Sequence, residues 1–267
     1  MKLKLCDAKS LDIVKTFECG QCFRWNANDK GVYTGVVGRY LAEVETVDNE
    51  VYITSDAPAE MWADYFDLAT DYAAVSADFT GEYLHECIDY GMGIRILRQD
   101  SWEALCSFII SQCNNITRIK GIVERLCEQF GDKCEANGVG YYTFPSAERL
   151  AALRPSDLAG IRAGYRAEYI IAAARAVTTG ELDLDALKTC DYREAIKTLR
   201  QIRGVGEKVA NCVVLFGLYH MEAFPIDVWM KRALKEHFPA DFDPTSLGAY
   251  AGLAQQYIFY YSRSGGK

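Results

Sequence analysis

No apolar run in this chain reaches the roughly 20 residues that a membrane-spanning helix needs, which excludes a helical membrane protein. The opening Met1-Lys2-Leu3-Lys4-Leu5 lacks the long apolar core of a secretory signal. An intracellular protein is therefore expected, in the cytoplasm or nucleoid of a bacterium or in the nucleus of a eukaryote. Internal repeats and low-complexity segments are also missing, so neither a solenoid nor a disordered linker is expected. Cys19-Gly20-Gln21-Cys22 is a C-x-x-C without a second such pair, so it does not complete a zinc tetrad. Phe23-Arg24-Trp25 and a turn cluster follow it where a thioredoxin-like site would open a helix. No cysteine follows Cys212, which excludes a four-cysteine iron–sulfur cluster near the C-terminus. The ten cysteines are expected to be reduced and mostly buried as small hydrophobes. No metal and no cofactor is expected.

What is present is a globular composition of 267 residues, half apolar and a quarter charged, enough for one or two domains with a large core. The net charge of −8 argues against simple nucleic-acid binding, but the charge is uneven. Between Glu43 and Tyr90 lie 13 acidic residues and no Lys or Arg. From Ala195 to Lys235 the bases Lys197, Arg200, Arg203, Lys208, Lys231, Arg232 and Lys235 outnumber the acids. Such scatter is common on ordinary surfaces. It also fits an acidic back face and a basic working face.

The first ninety residues read as β-rich. Val32–Val37, Leu41–Glu45 and Val51–Thr54 are short β-prone runs separated by Gly38-Arg39 and Asp48-Asn49-Glu50, as in an antiparallel meander. A helical stretch from Pro58 to Asp67 follows. Beyond Gly91-Met92-Gly93 the chain turns helical. Asp100-Ser101-Trp102-Glu103 has a capping-box pattern, and Ile116 to Phe130 is closed by Gly131. Ser146 begins another helix, and Arg166 to Thr179 is closed by Gly180. Tyr192–Ile202, Glu207–Leu218, Val228–His237 and Thr245–Ser262 complete the set. The expected architecture is α+β: an antiparallel β domain over residues 1–92 packed on a larger helical body over 93–267.

The densest chemistry lies at Leu199-Arg200-Gln201-Ile202-Arg203-Gly204-Val205-Gly206-Glu207-Lys208, with Pro225-Ile226-Asp227 one helix length later. Gly204 and Gly206 permit a tight turn whose free N–H groups, at a helix N-terminus, suit a phosphate. Taken alone, Gly204-Val205-Gly206 reads equally as a plain αα-turn. Lys208 borders the apolar stripe Val209, Cys212, Val213 and Phe216 in the first turn of the second helix. An apolar flank and the positive end of the helix both favour the neutral amine, the nucleophilic form. Its plain alternative is a snorkelling surface lysine. Asp227 is placed to cap the helix beginning at Val228, to face Lys208, or both.

These residues resemble the helix-hairpin-helix base-excision DNA glycosylases, and the likeness extends to the 8-oxoguanine DNA glycosylase branch. Gly20-Gln21-Cys22-Phe23-Arg24-Trp25 is similar to that branch's Gly-Gln-x-Phe-Arg-Trp segment. Arg98-Gln99-Asp100, Ser107-Phe108-Ile109 and Asn114-Asn115-Ile116-Thr117-Arg118 resemble its asparagine loop and the approach to it. Gly164-Tyr165-Arg166 resembles its wedge, and Ala251-Gly252-Leu253-Ala254-Gln255 with Phe259 its last helix. The resemblance implies a bifunctional glycosylase/lyase: Lys208 attacks the sugar C1′, expels the base and forms a Schiff base, and β-elimination nicks the strand. It implies that Asp227 assists the lysine and stabilises an oxocarbenium-like transition state. The flipped base would lie between Cys212 and Phe259, with Gln255 on its Watson–Crick edge. The Gly20 carbonyl would accept from N7–H, which 8-oxoguanine has and guanine lacks. Tyr165 would wedge into the gap, and Arg118, Arg166, Asn114 and Asn115 would meet the orphaned cytosine. Without the resemblance, Tyr165 reads as a core aromatic and the two arginines as solvated faces. The partner implied is damaged double-stranded DNA, met by a monomer without any membrane.

Two positions depart from the family pattern. Cys113 stands where the first of three asparagines is usual, which weakens the expectation of strict cytosine preference. Trp229 stands where the family often has a histidine near phosphate. Competing readings are a glycosylase for another damaged base such as an alkylated purine, a non-catalytic hairpin-type DNA-binding module, and a thiol enzyme using Cys19 and Cys22.

Overall fold

The computed structural model describes residues 1–265. Strands β1 (Lys2–Asp7), β2 (Asn26–Ala27), β3 (Tyr33–Val37), β4 (Tyr40–Val47) and β5 (Glu50–Ser55) form one antiparallel sheet in the order β1-β5-β4-β3-β2, with α1 (Ile13–Glu18) inserted after β1. Alternation selects the inner face: Ala42 and Val44 of β4, and Val51 and Ile53 of β5, are buried. Phe17 of α1 stacks on Trp25 at 4.4 Å between ring centroids, and the Trp25 indole N–H donates to Tyr65 Oη at 2.9 Å. Trp62, Tyr65 and Phe66, on or just past α2 (Ala59–Tyr65), cover the same core.

The three central strands match the sequence expectation. β1 and β2 do not appear in it: β2 spans two residues, and β1 is an edge strand whose Leu3 and Leu5 are only half-buried. β1, Lys-Leu-Lys-Leu-Cys-Asp, alternates charge outward and is fixed mainly by pairing with β5.

Helices α3 (Tyr72–Ala77) and α4 (Glu82–Gly91) lead into the helical body. That body comprises α5 (Ser101–Ser111), α6 (Ile116–Phe130), the β6–β7 hairpin (Lys133–Ala136, Val139–Tyr142), α7 (Ala147–Ala151), α8 (Arg166–Thr178), α9 (Leu184–Leu187), α10 (Tyr192–Leu199), α11 (Glu207–Phe216), α12 (Val228–His237) and α13 (Ala251–Ser264). Its core takes in Tyr72, Phe79, Leu84, Cys87 and Ile88, so α3 and α4 pack with the helices although they precede residue 92. Asp67, 2% exposed, ties the two cores together: it accepts from Tyr72 Oη at 3.0 Å and from Arg98 Nη2 at 2.9 Å, and it also accepts from Tyr219 Oη.

Local capping accounts for most helix starts. Asp100 accepts from Glu103 N, Asn115 from Arg118 N, Ser146 from Arg149 N and Asp227 from Trp229 N and Met230 N. The last helix is shorter than the expected 245–262. Residues 244–250 form a 3-10 turn broken at Gly248, whose φ of 74° is not helical, and regular helix begins only at Ala251. The first hairpin helix likewise ends at Leu199 rather than Ile202.

Candidate active site

α10, the Gly204-Val205-Gly206 turn and α11 form the hairpin. Gly204 has φ +86°, and a Cβ there would lie 2.1 Å from the Tyr169 ring, so both backbone and packing demand glycine. Val205 is buried and anchors the turn. Gly206 caps α11 without a side-chain bond, leaving exposed backbone N–H groups at the helix start. A phosphate fits this terminus.

Two turns of chemistry converge next to it. Lys208, half-buried, places Nζ 5.5 Å from the centroid of the Phe108 ring. One turn on, burial raises the Cys212 thiol above its ordinary range, and the nearby Lys208 ammonium partly offsets that rise. Asp227 caps α12 through Oδ1 alone, at 3.0 Å to Trp229 N and 2.9 Å to Met230 N, which leaves Oδ2 for the cavity. Both sequence alternatives for Asp227, helix cap and partner of Lys208, are thus geometrically compatible.

Lys208 and Asp227 line a recess of about 40 Å³ together with Gly20, Cys212, Gln255 and Phe259, six residues drawn from both ends of the chain. The recess opens into a cavity of about 690 Å³ that adds Cys113, Asn114, Asn115, Trp229, Lys231 and Arg263. Apart from Asp227, the charged side chains around that cavity are basic, as expected of a working face. Gln255 is 4% exposed, and its Oε1 has no hydrogen-bond partner among the described residues. A buried unpaired amide oxygen costs about 1–3 kcal/mol, so this one is poised for a ligand donor. At about 40 Å³ the recess is smaller than a purine, so a base enters only if lining side chains move.

The Gly20 loop is fixed by side chains to which the sequence pattern assigned no role. Gly20 has φ +84°, and a Cβ on it would meet Phe259 at 3.5 Å and Ile116 at 3.6 Å. Gln21, fully buried, donates to Arg95 O at 2.7 Å and Thr16 O at 3.0 Å and accepts from Leu97 N at 2.9 Å. Gln256 donates to Cys19 O at 2.8 Å, linking α13 to the same loop. Neighbouring glutamines in the Gly-Gln and Gln-Gln pairs were the available signal for both positions.

Around the rim the expectations divide. Tyr165 is 52% exposed and stands beside Tyr169, so it is not a core aromatic and is free to act as a wedge. Arg118 is exposed, with no side-chain partner among the described residues. Arg166 differs from both sequence readings. It is 3% exposed, and its guanidinium donates to Gln112 O at 2.9 Å, Cys113 O at 3.2 Å and Ala163 O at 3.2 Å. With four of its five N–H donors on backbone carbonyls, it positions the 112–115 loop. Asn115 caps α6, and Asn114 Nδ2 donates to Ile110 O at 3.1 Å. Cys113 is exposed with φ +47°, a backbone state that asparagine adopts more readily than cysteine.

All ten cysteines are free thiols, and Cys19, Cys22, Cys87, Cys106, Cys127 and Cys212 are buried. Burial pushes the Cys19 thiol up to about 11 and Cys22 well above its ordinary range, which opposes thiolate chemistry at the C-x-x-C. Among the described residues no helix is long and apolar enough to cross a membrane.

Two families match the chain: the 8-oxoguanine DNA glycosylase N-terminal domain over residues 4–105 and the HhH-GPD superfamily of base excision DNA repair proteins over residues 106–252. An N-glycosylase/DNA lyase OGG1 of Arabidopsis thaliana is 28% identical over 93% of this chain and 76% of its own length. A DNA-3-methyladenine glycosylase of Bacillus subtilis is 33% identical over 71% of this chain and 68% of its own. The Clostridium acetobutylicum 8-oxoguanine glycosylase/lyase, solved with double-stranded DNA containing cytosine opposite 8-oxoG, superimposes with a TM-score of 0.90 at 34% identity, covering 100% of this chain and 99% of that one. With its N-terminal sheet domain and its hairpin-bearing helical body both matched, the chain belongs to the HhH-GPD superfamily of base excision DNA repair proteins, in the branch that carries the 8-oxoguanine DNA glycosylase N-terminal domain.

Proposed function

We propose that this protein is an intracellular bifunctional DNA glycosylase/lyase that excises 8-oxoguanine from duplex DNA, acting as a monomer without a cofactor. The observation that carries the reading is one recess lined by Lys208, Asp227, Gly20, Cys212, Gln255 and Phe259. In functional terms residues 1–92 supply the Gly20 loop, and 93–267 supply the hairpin, the wedge and the last helix.

The hairpin turn holds a phosphate while Tyr165 fills the gap left by extrusion, offsetting an unstacking cost of a few kcal/mol. The base slides between Cys212 and Phe259, Gln255 Oε1 accepts from its Watson–Crick edge, and the Gly20 carbonyl accepts from N7–H. Guanine presents a bare N7 acceptor at that point and is repelled. The Lys208 lone pair then forms the N–C1′ bond as the C1′–N9 pair leaves with the base, which takes up a proton. The free Asp227 Oδ2 stabilises the positive charge that develops on the sugar. Opening of the C1′–O4′ bond gives the Schiff base. Loss of a C2′ proton then expels the 3′ phosphate, and hydrolysis returns the amine.

The Bacillus subtilis relative is named for 3-methyladenine, but Gly20 and Gln255 together favour an oxidised guanine over an alkylated adenine. Single-turnover excision from duplexes carrying either base tests this. Release of 8-oxoguanine with little release of 3-methyladenine is expected; the reverse order contradicts the reading.

A further inference from the structure

Beside Gly20 stands an arginine that the excision chemistry does not use. Arg263 lies one turn after Phe259 on α13 and places Cζ 5.5 Å from the centroid of that ring. Its Nη2 donates to Glu18 O, which holds the guanidinium against the loop leading to Gly20. Its Nη1 is buried without a hydrogen-bond partner among the described residues, and it sits 3.7 Å from where a Gly20 Cβ would be. Arg263 also lines the larger cavity with Gly20, Lys208, Asp227 and Phe259. A buried donor held this way, next to Gly20 at the mouth of a base pocket, is costly unless something completes it.

We propose that Arg263 is a specificity-determining residue that donates to O8 of the flipped 8-oxoguanine. The inference rests on the reading that Gly20 meets N7–H of that base. Oxidation converts the guanine C8–H/N7 edge into a lactam with a donor at N7 and an acceptor at O8, side by side. The complement of such an edge is an acceptor beside a donor: the Gly20 carbonyl is the acceptor of that reading, and Arg263 Nη1, 3.7 Å from the Gly20 Cβ position and without a partner among the described residues, is the donor next to that residue. Guanine mismatches both: a bare N7 faces the carbonyl, and a C8–H faces the guanidinium. A backbone phosphate is the less fitting ligand. The donor borders Gly20 and Phe259, both walls of the recess, whereas Lys231 lines only the larger cavity and the hairpin amides lie at the start of α11.

Three duplexes separate the possibilities under single turnover: one with 8-oxoguanine, one with 8-thioguanine and one with a preformed abasic site. The 8-thio base keeps N7–H but offers sulfur, a weak acceptor, at position 8. For the full-length protein the ratio of 8-oxoguanine excision to abasic-site cleavage is expected to fall about tenfold to a hundredfold in Arg263→Met, the range of one charge-assisted hydrogen bond. Arg263→Lys is expected to recover part of that loss. The wild-type preference for oxygen over sulfur is expected to shrink in Arg263→Met, with steric effects cancelling in the comparison. An unchanged ratio overturns the proposal, as does an equal loss on abasic DNA, which marks a phosphate-binding or folding role. Failure of the wild-type protein to release 8-oxoguanine, with abasic cleavage intact, refutes the substrate reading itself and the O8 contact with it.

Discussion

At the scale of single residues the site depends on atoms left without partners as much as on those that have them. Gln255 Oε1 is buried and unpaired, so its worth is realised only when a base fills the recess. Gln255→Ala is expected to lower 8-oxoguanine excision at least tenfold while raising or preserving thermal stability, since it removes an unsatisfied polar group. A stability loss equal to the activity loss, seen in a melting curve, would place Gln255 in the core instead. Gly204→Ala is expected to act in the opposite sense. The positive φ and the contact with Tyr169 together destabilise the fold by about 2 kcal/mol or more. Denaturant titration checks this, and a midpoint within experimental error of wild type would contradict it. Lys208 and Asp227 were legible in the sequence because their chemistry is local to a turn and a cap. Gln21, Gln256 and Arg263 were not, because what they do depends on carbonyls more than seventy residues away.

At the scale of elements, Asp100, Ser146 and Asp227 marked the starts of α5, α7 and α12, and the expected bounds of α6 and α12 match those found, whereas the short helices α1, α3 and α9 and the ten-residue α4 were not read. The β6–β7 hairpin escaped notice although Asn137-Gly138, at φ +53° and +77°, has the sequence of a two-residue turn. Its short strands carry almost no apolar alternation. The break at Gly248 was missed as well, although residues 244–250 bury nothing and Gly248 takes a positive φ. The 112–115 loop is the element on which opposite-base choice turns. Arg166 grips its carbonyls, Asn114 and Asn115 bond the backbone, and Cys113 offers no amide. Comparable excision opposite all four bases is expected, within about tenfold. Cys113→Asn is expected to shift the preference toward cytosine, because it supplies the missing amide and suits the left-handed backbone. A wild-type preference for cytosine above about a hundredfold would contradict this account of the loop.

At the scale of the molecule, the seam between the sheet and the helices holds a buried ion pair. Arg24, from the loop after α1, lies 3.5 Å from Glu103 on α5. Burial pushes the Glu103 carboxyl up to about 7 despite the opposing effect of Arg24. Because the folded value is raised above the ordinary 4.5, the protonated acid is favoured by folding. Its contribution is complete below pH 4.5 and is lost as the pH rises through about 7. The stability difference between wild type and Glu103→Gln is therefore expected to change across that window, with wild type losing ground as the pH rises. Urea titrations at pH 5 and pH 8 measure it, and a pH-independent difference would contradict the assignment. The same seam explains why the fold class was readable while the interface was not: alternation and caps report each layer, and only the assembled chain brings Arg24 to Glu103 or Asp67 to Tyr219.

The central claim, that Lys208 is the nucleophile, is tested most directly by borohydride trapping on duplex DNA containing 8-oxoguanine. Wild-type protein is expected to form a covalent DNA adduct, and Lys208→Gln to form none while still binding the duplex. Absence of an adduct with wild type, or an undiminished adduct with Lys208→Gln, would contradict the account.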